Sequence, residues 1–277
     1  MNLSSPSDFF QLHNGVNMPA LGLGVYKSKD GQEVQQAIHW AIEAGYRHID
    51  TAKIYGNERG VGEAIRNSTI PREELFVVSK VWNSDQGYDS TLKAFDTSLN
   101  LLGLEYMDLY LIHWPVKGKY LDTWGAMEKL YRSGKVRAIG VSNFMQHHLQ
   151  DVITAGTIVP MVNQMEFHPR LVQQSLLEFC RNHQIQYEAW SPIMKGKVLD
   201  IPLLQELGDR YDKSPVQVTL KWALQKGVVV IPKSVNEHRI QANADLFDFE
   251  LSADEMQQIN ALDRGERIGP DPDNFDF

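Results

Sequence analysis

One feature constrains this chain more than any other. Short apolar, β-branched runs alternate with stretches whose apolar residues recur at helical spacing. Eight such runs predict strands over residues 21–25, 47–50, 75–81, 107–113, 136–142, 161–166, 185–190 and 228–232. Helices are predicted between and after them, over 30–44, 58–65, 89–102, 121–131, 146–155, 173–182, 215–225 and 237–245. In the first helix Val34, Ala37, Ile38, Ala41 and Ile42 share one face, and Gly45 stops it. Two further helices fall outside the eight-fold pattern. One covers 201–211; the other covers 252–262, where Ser252 and Glu255 form a capping box.

Strand–helix units repeated eight times imply a parallel sheet with helical crossovers, and eight units are enough to close a (β/α)8 TIM barrel. The rival is a doubly wound open sheet, which usually carries GxGxxG after its first strand. Here that region reads Gly22-Leu23-Gly24-Val25-Tyr26-Lys27, without the third glycine. Ahead of it, Asn14-Gly15 between two short β runs predicts a hairpin that caps the barrel floor. No linker or low-complexity tract divides the chain, so residues 1–277 are expected to form one domain.

Composition narrows the function. With 43% hydrophobic and 22% charged residues, disorder is excluded. The net charge of −8 argues against nucleic acid as a partner. No apolar run is long enough to span a membrane, and residues 1–10 show no signal-peptide pattern. The single cysteine, Cys180, excludes an intrachain disulfide and a Cys-based metal site, so a reducing cytoplasm is expected. It lies in an apolar helical stretch, where a buried inert thiol is the default. His147 and His148 are adjacent at a helix start and are expected to face different ways, so no metal site is assigned. His168, before Pro169, reads as loop structure.

In such a barrel the active site forms at the carboxyl ends of the strands. The polar residues there are Asp50, Lys80, His113, Ser142, Asn143, Gln164, Glu166, Ser191, Lys233 and Ser234, with Tyr55 on the loop after Asp50. No nucleophile elbow or P-loop accompanies them. Asp, Tyr, Lys and His together suit proton transfer to a carbonyl oxygen. A free Tyr, with a pKa of about 10, is a weak acid at neutral pH. A Lys ammonium ~4 Å away, at an effective dielectric of ~20, is worth up to ~4 kcal/mol, so Lys80 is expected to pull Tyr55 down into a useful range. Asp50 would hold Lys80 and offset part of that effect. His113 could orient the carbonyl. None of these groups can supply a hydride, so a nicotinamide must.

These motifs resemble the aldo-keto reductase family. They are HNG…MPALGLGVY (13–26), GYRHIDTAKIYGNERGVG (45–62), VSKVWN (78–83), DLYLIHWP (108–115), IGVSNF (139–144), NQMEFHP (163–169), WSPI (190–193) and IPKSVNEHRIQAN (231–243). The ending, RIGPDPDNFDF (267–277), is similar to bacterial glyoxal or methylglyoxal reductases and to 2,5-diketo-D-gluconate reductases. The resemblance implies a (β/α)8 barrel that binds NADPH without a Rossmann domain, with Asp50, Tyr55, Lys80 and His113 as catalytic tetrad. It places Ser142, Asn143 and Gln164 on the nicotinamide carboxamide, and Trp190 against the nicotinamide ring. Ser191, Ile193 and the loop 194–199 would face the pyrophosphate, with Lys195 and Lys197 adding positive charge. Lys233, Ser234 and Arg239 would hold the 2′-phosphate and Asn243 the adenine; Gly24, Val25 and Tyr26 would lie near the mouth. Ala242 stands where relatives often carry Glu or Gln just before that Asn, so the resemblance does not carry over one adenine contact. Tyr26, Trp82 and Trp114 flank the tetrad in sequence and read as substrate-pocket walls, with plain packing as the alternative.

The implied activity is reduction of aldehydes and ketones, with small α-dicarbonyls such as methylglyoxal and glyoxal as substrates. The alternatives are a sugar-acid reductase acting on diketogluconate and a nicotinamide-binding redox sensor without turnover. The short C-terminal segment is expected to lie over the surface and leave the pocket open. A barrel of this kind completes its core alone, so a monomer is expected.

Overall fold

The computed structural model describes residues 3–277; Met1 and Asn2 of the expected domain lie outside the described residues. The chain opens with a hairpin, β1 (Phe9–Gln11) antiparallel to β2 (Asn17–Pro19), turning at Asn14-Gly15 where Gly15 has a φ of 86°. Leu12 and Met18 are buried beneath it. Asn14 Nδ2 donates to Arg137 O (3.0 Å) and His13 Nε2 meets Val159 O (3.2 Å). Both carbonyls lie near the amino ends of barrel strands, so the hairpin covers the floor as expected.

Eight parallel strands follow: β3 (Gly22–Gly24), β4 (His48–Asp50), β5 (Phe76–Val81), β6 (Met107–Ile112), β7 (Val136–Ser142), β8 (Val162–Glu166), β9 (Gln186–Trp190) and β10 (Val229–Val230). They pair in chain order from β3 to β10. Single bridges, Leu21 to Val230 and Gly24 to Lys233, join the two ends into a nearly closed barrel. All eight fall within the predicted runs. β3 and β10 are shorter than the predicted runs, and they meet each other only through those bridges. Every residue of β5 and β6 is buried, as strands covered on both faces require.

The crossovers are α1 (Gln32–Glu43), α2 (Glu58–Arg66), α3 (Tyr88–Leu102), α4 (Tyr120–Arg132), α5 (Gln146–Ala155) and α6 (Gln174–Asn182). The extra helix α7 (Pro202–Tyr211) then precedes α8 (Pro215–Gln225), and α9 (Glu237–Ala244) and α10 (Ala253–Asn260) complete the set. In α3 the buried residues Thr91, Ala94, Phe95, Ser98 and Leu102 form one stripe, and Gly103 ends the helix in the left-handed conformation. Ser252 caps α10 with Glu255 in the predicted capping box. Among the described residues, no helix is long and apolar enough to cross a membrane.

Candidate active site

The barrel brings the four expected side chains together. Asp50 ends β4, Lys80 lies near the end of β5, and His113 follows β6. Tyr55 closes a single 3-10 turn, Lys53–Tyr55, after β4. Lys80 Nζ donates to Asp50 Oδ1 (2.7 Å), Asp50 Oδ2 (2.8 Å) and Thr51 O (2.9 Å). The same ammonium lies 5.3 Å from the centre of the Tyr55 ring. Tyr55 is 5.8 Å from His113 and 5.0 Å from Tyr26, ring to ring, and Trp82 meets His113 edge-on at 5.1 Å.

Burial and charge compete here. Burial alone would lower Lys80, but Asp50 and Tyr55 reverse that and raise its pKa, so the ammonium persists. Burial drives His113 well below the usual histidine range, and Lys80 adds to the effect; the ring is neutral. Tyr55 corrects the expectation from charge alone. Burial pushes its pKa up to about 12, Asp50 adds to the rise, and Lys80 recovers only part of it.

Asp50, Tyr55 and His113 line a cavity of about 630 Å³; Lys80, fully buried, meets it only through its bonds to Asp50. Gly24, Tyr26, Trp82, Trp114, Ser142, Asn143, Gln164, Trp190, Ser191, Ile193 and Lys233 line it, as expected. Gln164 Nε2 donates to Asp50 Oδ2 (2.9 Å) and to Glu188 Oε2 (2.8 Å). Asn143, held at a φ of 65°, donates to His113 O (2.9 Å) and accepts from Trp190 Nε1 (2.9 Å). Ser142 Oγ donates to Gln164 O (2.9 Å). After Trp190, Ser191, Met194, Lys195 and Gly196 all take positive φ, so this loop departs sharply from extended backbone.

Four of the expected cofactor contacts do not reach the cavity wall. Val25 is fully buried, its N–H bonded to Asp50 O. Ser234 is buried and bonds Asn236, which caps α9. Arg239 and Asn243 lie on α9; Arg239 is exposed and Asn243 buried. They follow Lys233 in the chain, on the helix that begins four residues after it.

The C-terminal segment corrects a second expectation. Gly269, Pro270 and Phe277 line the cavity rather than leaving it open. Phe277 stacks on Trp82 (6.0 Å) and meets Trp114 edge-on (5.2 Å), while Phe275 also packs on Trp114 (5.1 Å). Buried Glu166, at the end of β8, accepts from Ile268 N (2.6 Å) and Gly269 N (3.3 Å) and is braced by His168 Nε2 (3.0 Å). Gly269 is required by close approach: a Cβ there would overlap the Trp190 ring. Lys27, Ile54, Pro192 and Ile231 also line the cavity without having been singled out. The legible signal was the pair of aromatics, Phe275 and Phe277, in an otherwise polar tail.

His147 and His148 do not face apart. Their Nε2 atoms lie 3.1 Å from each other, and His147 Nε2 lies 3.1 Å from Asp273. His148 Nδ1 accepts from Met145 N (3.2 Å), so its Nε2 carries the ring hydrogen rather than a lone pair for a metal.

Comparison with known proteins identifies the family. The sequence model of the aldo/keto reductase family matches residues 20–264. The chain is 57% identical over 274 residues to glyoxal reductase from Bacillus subtilis (strain 168), covering 99% of each. It is also 57% identical over 267 residues to 9,11-endoperoxide prostaglandin H2 reductase from Trypanosoma cruzi (strain CL Brener), covering 95% of this chain and 94% of that protein. Among solved structures, a variant of Gox0644 in complex with NADPH superposes with a TM-score of 0.93 at 43% identity, over 97% of this chain and 98% of that one. An eight-stranded parallel barrel, a buried Lys–Asp pair beside a tyrosine and a histidine, and a match over most of the sequence place this chain in the aldo/keto reductase family.

Proposed function

We propose that this chain reduces aldehydes and ketones to alcohols with NADPH. The observation that carries the reading is the Asp50–Lys80 pair beside Tyr55 and neutral His113, with Asp50, Tyr55 and His113 lining one cavity together with Ser142, Asn143 and Gln164. That cavity's donor set fits a dinucleotide. Amide and hydroxyl groups surround its inner end, Trp190 offers a flat ring, and Lys195 and Lys233 supply cations for phosphates. Arg239, exposed on the first turn of α9, is the proposed partner of Lys233 at the 2′-phosphate; Ser234 bonds Asn236, which caps this turn, and Asn243, buried near the end of α9, is the proposed adenine contact. When bound, the reduced nicotinamide supplies the hydride.

The chain's own residues handle the oxygen. Tyr55 and neutral His113 donate hydrogen bonds to the carbonyl and polarise it. As the carbon gains a hydride, the oxygen becomes an alkoxide about as basic as hydroxide and far more basic than a phenolate. A phenol held at about 12 still gives up its proton to such a base. Lys80 stabilises the phenolate left behind, and Asp50 fixes Lys80 in place.

Tyr26, Trp82, Trp114 and Phe277 form aromatic walls, and the C-terminal segment narrows the space. Small α-dicarbonyls fit, in line with the named activity of the glyoxal reductase relative. The test is NADPH oxidation by the purified chain with methylglyoxal, glyoxal and diketogluconate. Turnover with the dicarbonyls at higher kcat/KM than with the sugar acid is expected. Tight NADPH binding with no turnover on any carbonyl would overturn the reading in favour of a sensor.

A further inference from the structure

Beneath the tetrad the barrel holds a second ionisable pair that the proposed chemistry does not use. His48 opens β4 and Glu188 lies in the middle of β9, and neither side chain reaches solvent. Glu188 Oε1 faces His48 Nε2 at 3.4 Å, and among the described residues neither atom has any other hydrogen-bond partner. On the far side of the ring, His48 Nδ1 lies 3.3 Å from Pro19 O. A carbonyl only accepts, so Nδ1 carries the ring hydrogen and Nε2 of the neutral ring offers a lone pair. A bare carboxylate oxygen opposite that lone pair would leave two buried acceptors facing each other. One hydrogen between them satisfies both. Gly22 on the adjacent strand leaves room, since a Cβ there would come within 2.7 Å of the ring.

We propose that Glu188 is a positioning residue: as a neutral carboxylic acid it donates from Oε1 to His48, accepts at Oε2 from Gln164, and so pins the Gln164 amide with its oxygen toward the cavity. Both Gln164 N–H groups are then committed, one to Asp50 and one to Glu188. Among the described residues the Oε1 of Gln164 takes no bond, and Gln164 lines the cavity. That oxygen is the acceptor a carboxamide N–H requires, so the inference rests on the NADPH reading above.

The surrounding charges agree. Burial raises the Glu188 pKa and the charge on Asp50 raises it further, while the Gln164 hydrogen bond and Lys80 pull the other way without prevailing. Burial pushes His48 down to about 4, which keeps its ring neutral. Among the charged groups nearby, Asp50 and Lys80 already neutralise each other, so an ionised Glu188 would be a buried charge without a counter-ion.

The test compares Glu188→Gln with Glu188→Leu, and with Gln164→Ala as control. Glutamine keeps an oxygen for Gln164 and supplies an N–H to His48; leucine supplies neither. NADPH Kd, read by titration without substrate, is expected to change less than about twofold in Glu188→Gln and to weaken about tenfold in Glu188→Leu. The infrared spectrum of the cofactor-free protein at neutral pH is expected to show a protonated-carboxyl C=O band that Glu188→Gln removes. Absence of that band overturns the proposal, because the hydrogen then sits on His48 or is missing. Equal damage from both substitutions also overturns it. If Glu188→Leu fails to fold, the band and the Glu188→Gln affinity decide. If Gln164→Ala leaves NADPH affinity unchanged, the cofactor reading of Gln164 fails. If Gln164→Ala weakens binding but Glu188→Leu does not, only the positioning role fails.

Discussion

Tyr55 is where burial and charge oppose each other most directly. Its neighbours could be read from strand-end positions, but the depth of its pocket could not, and depth decides the direction of its pKa. With the pKa up at about 12, the protonated donor form persists through neutral and mildly alkaline pH and is lost only as pH approaches that value. His113 is neutral throughout the same range. The kcat for carbonyl reduction is therefore expected to vary less than about twofold between pH ~6 and ~9. A pH series under saturating NADPH checks this, and a fall with an apparent pKa near neutrality would contradict it. At the same scale, Asp50, Lys80 and His113 were legible because each ends or follows an apolar run. Glu188 was not, because it sits in the interior of a run where a carboxylate is out of place.

At the level of elements, periodicity carried most of the information. α5 and α8 match their predicted bounds, and the others differ by a residue or two at their ends. The C-terminal segment has no period to read, and its anchor is a carboxylate about a hundred residues earlier in the chain. Its placement follows from backbone N–H groups meeting buried Glu166 and from a glycine meeting Trp190. Gly269→Ala is expected to displace the Trp190 ring and break its bond to Asn143. An overpacking cost of about 1 kcal/mol would raise NADPH Kd about fivefold, with a shift in tryptophan fluorescence. Unchanged affinity and an unchanged emission spectrum would show that the segment does not support that ring.

Over the whole molecule, eight identical topological steps bring residues from distant parts of the sequence to one end of a barrel. The net charge of −8 opposes binding of an anionic cofactor, so local cations must carry it. Lys195 and Lys233 line the cavity, and Arg239 lies exposed on the first turn of α9, outside the wall itself. A charge-assisted bond to the 2′-phosphate worth about 1.4 kcal/mol corresponds to roughly tenfold in affinity. NADPH is accordingly expected to bind at least about tenfold more tightly than NADH, and Lys233→Ala to erase most of that preference. Equilibrium titration with both cofactors checks it; equal affinities in the parent chain would remove the 2′-phosphate site.

The central claim is that Tyr55 delivers the proton to the reduced carbonyl. Its most direct test is the single-turnover rate of methylglyoxal reduction by NADPH in Tyr55→Phe, with NADPH Kd measured alongside. The account predicts a rate lowered about 10²- to 10⁴-fold at unchanged cofactor affinity. A variant that reduces methylglyoxal at the parental rate would contradict it.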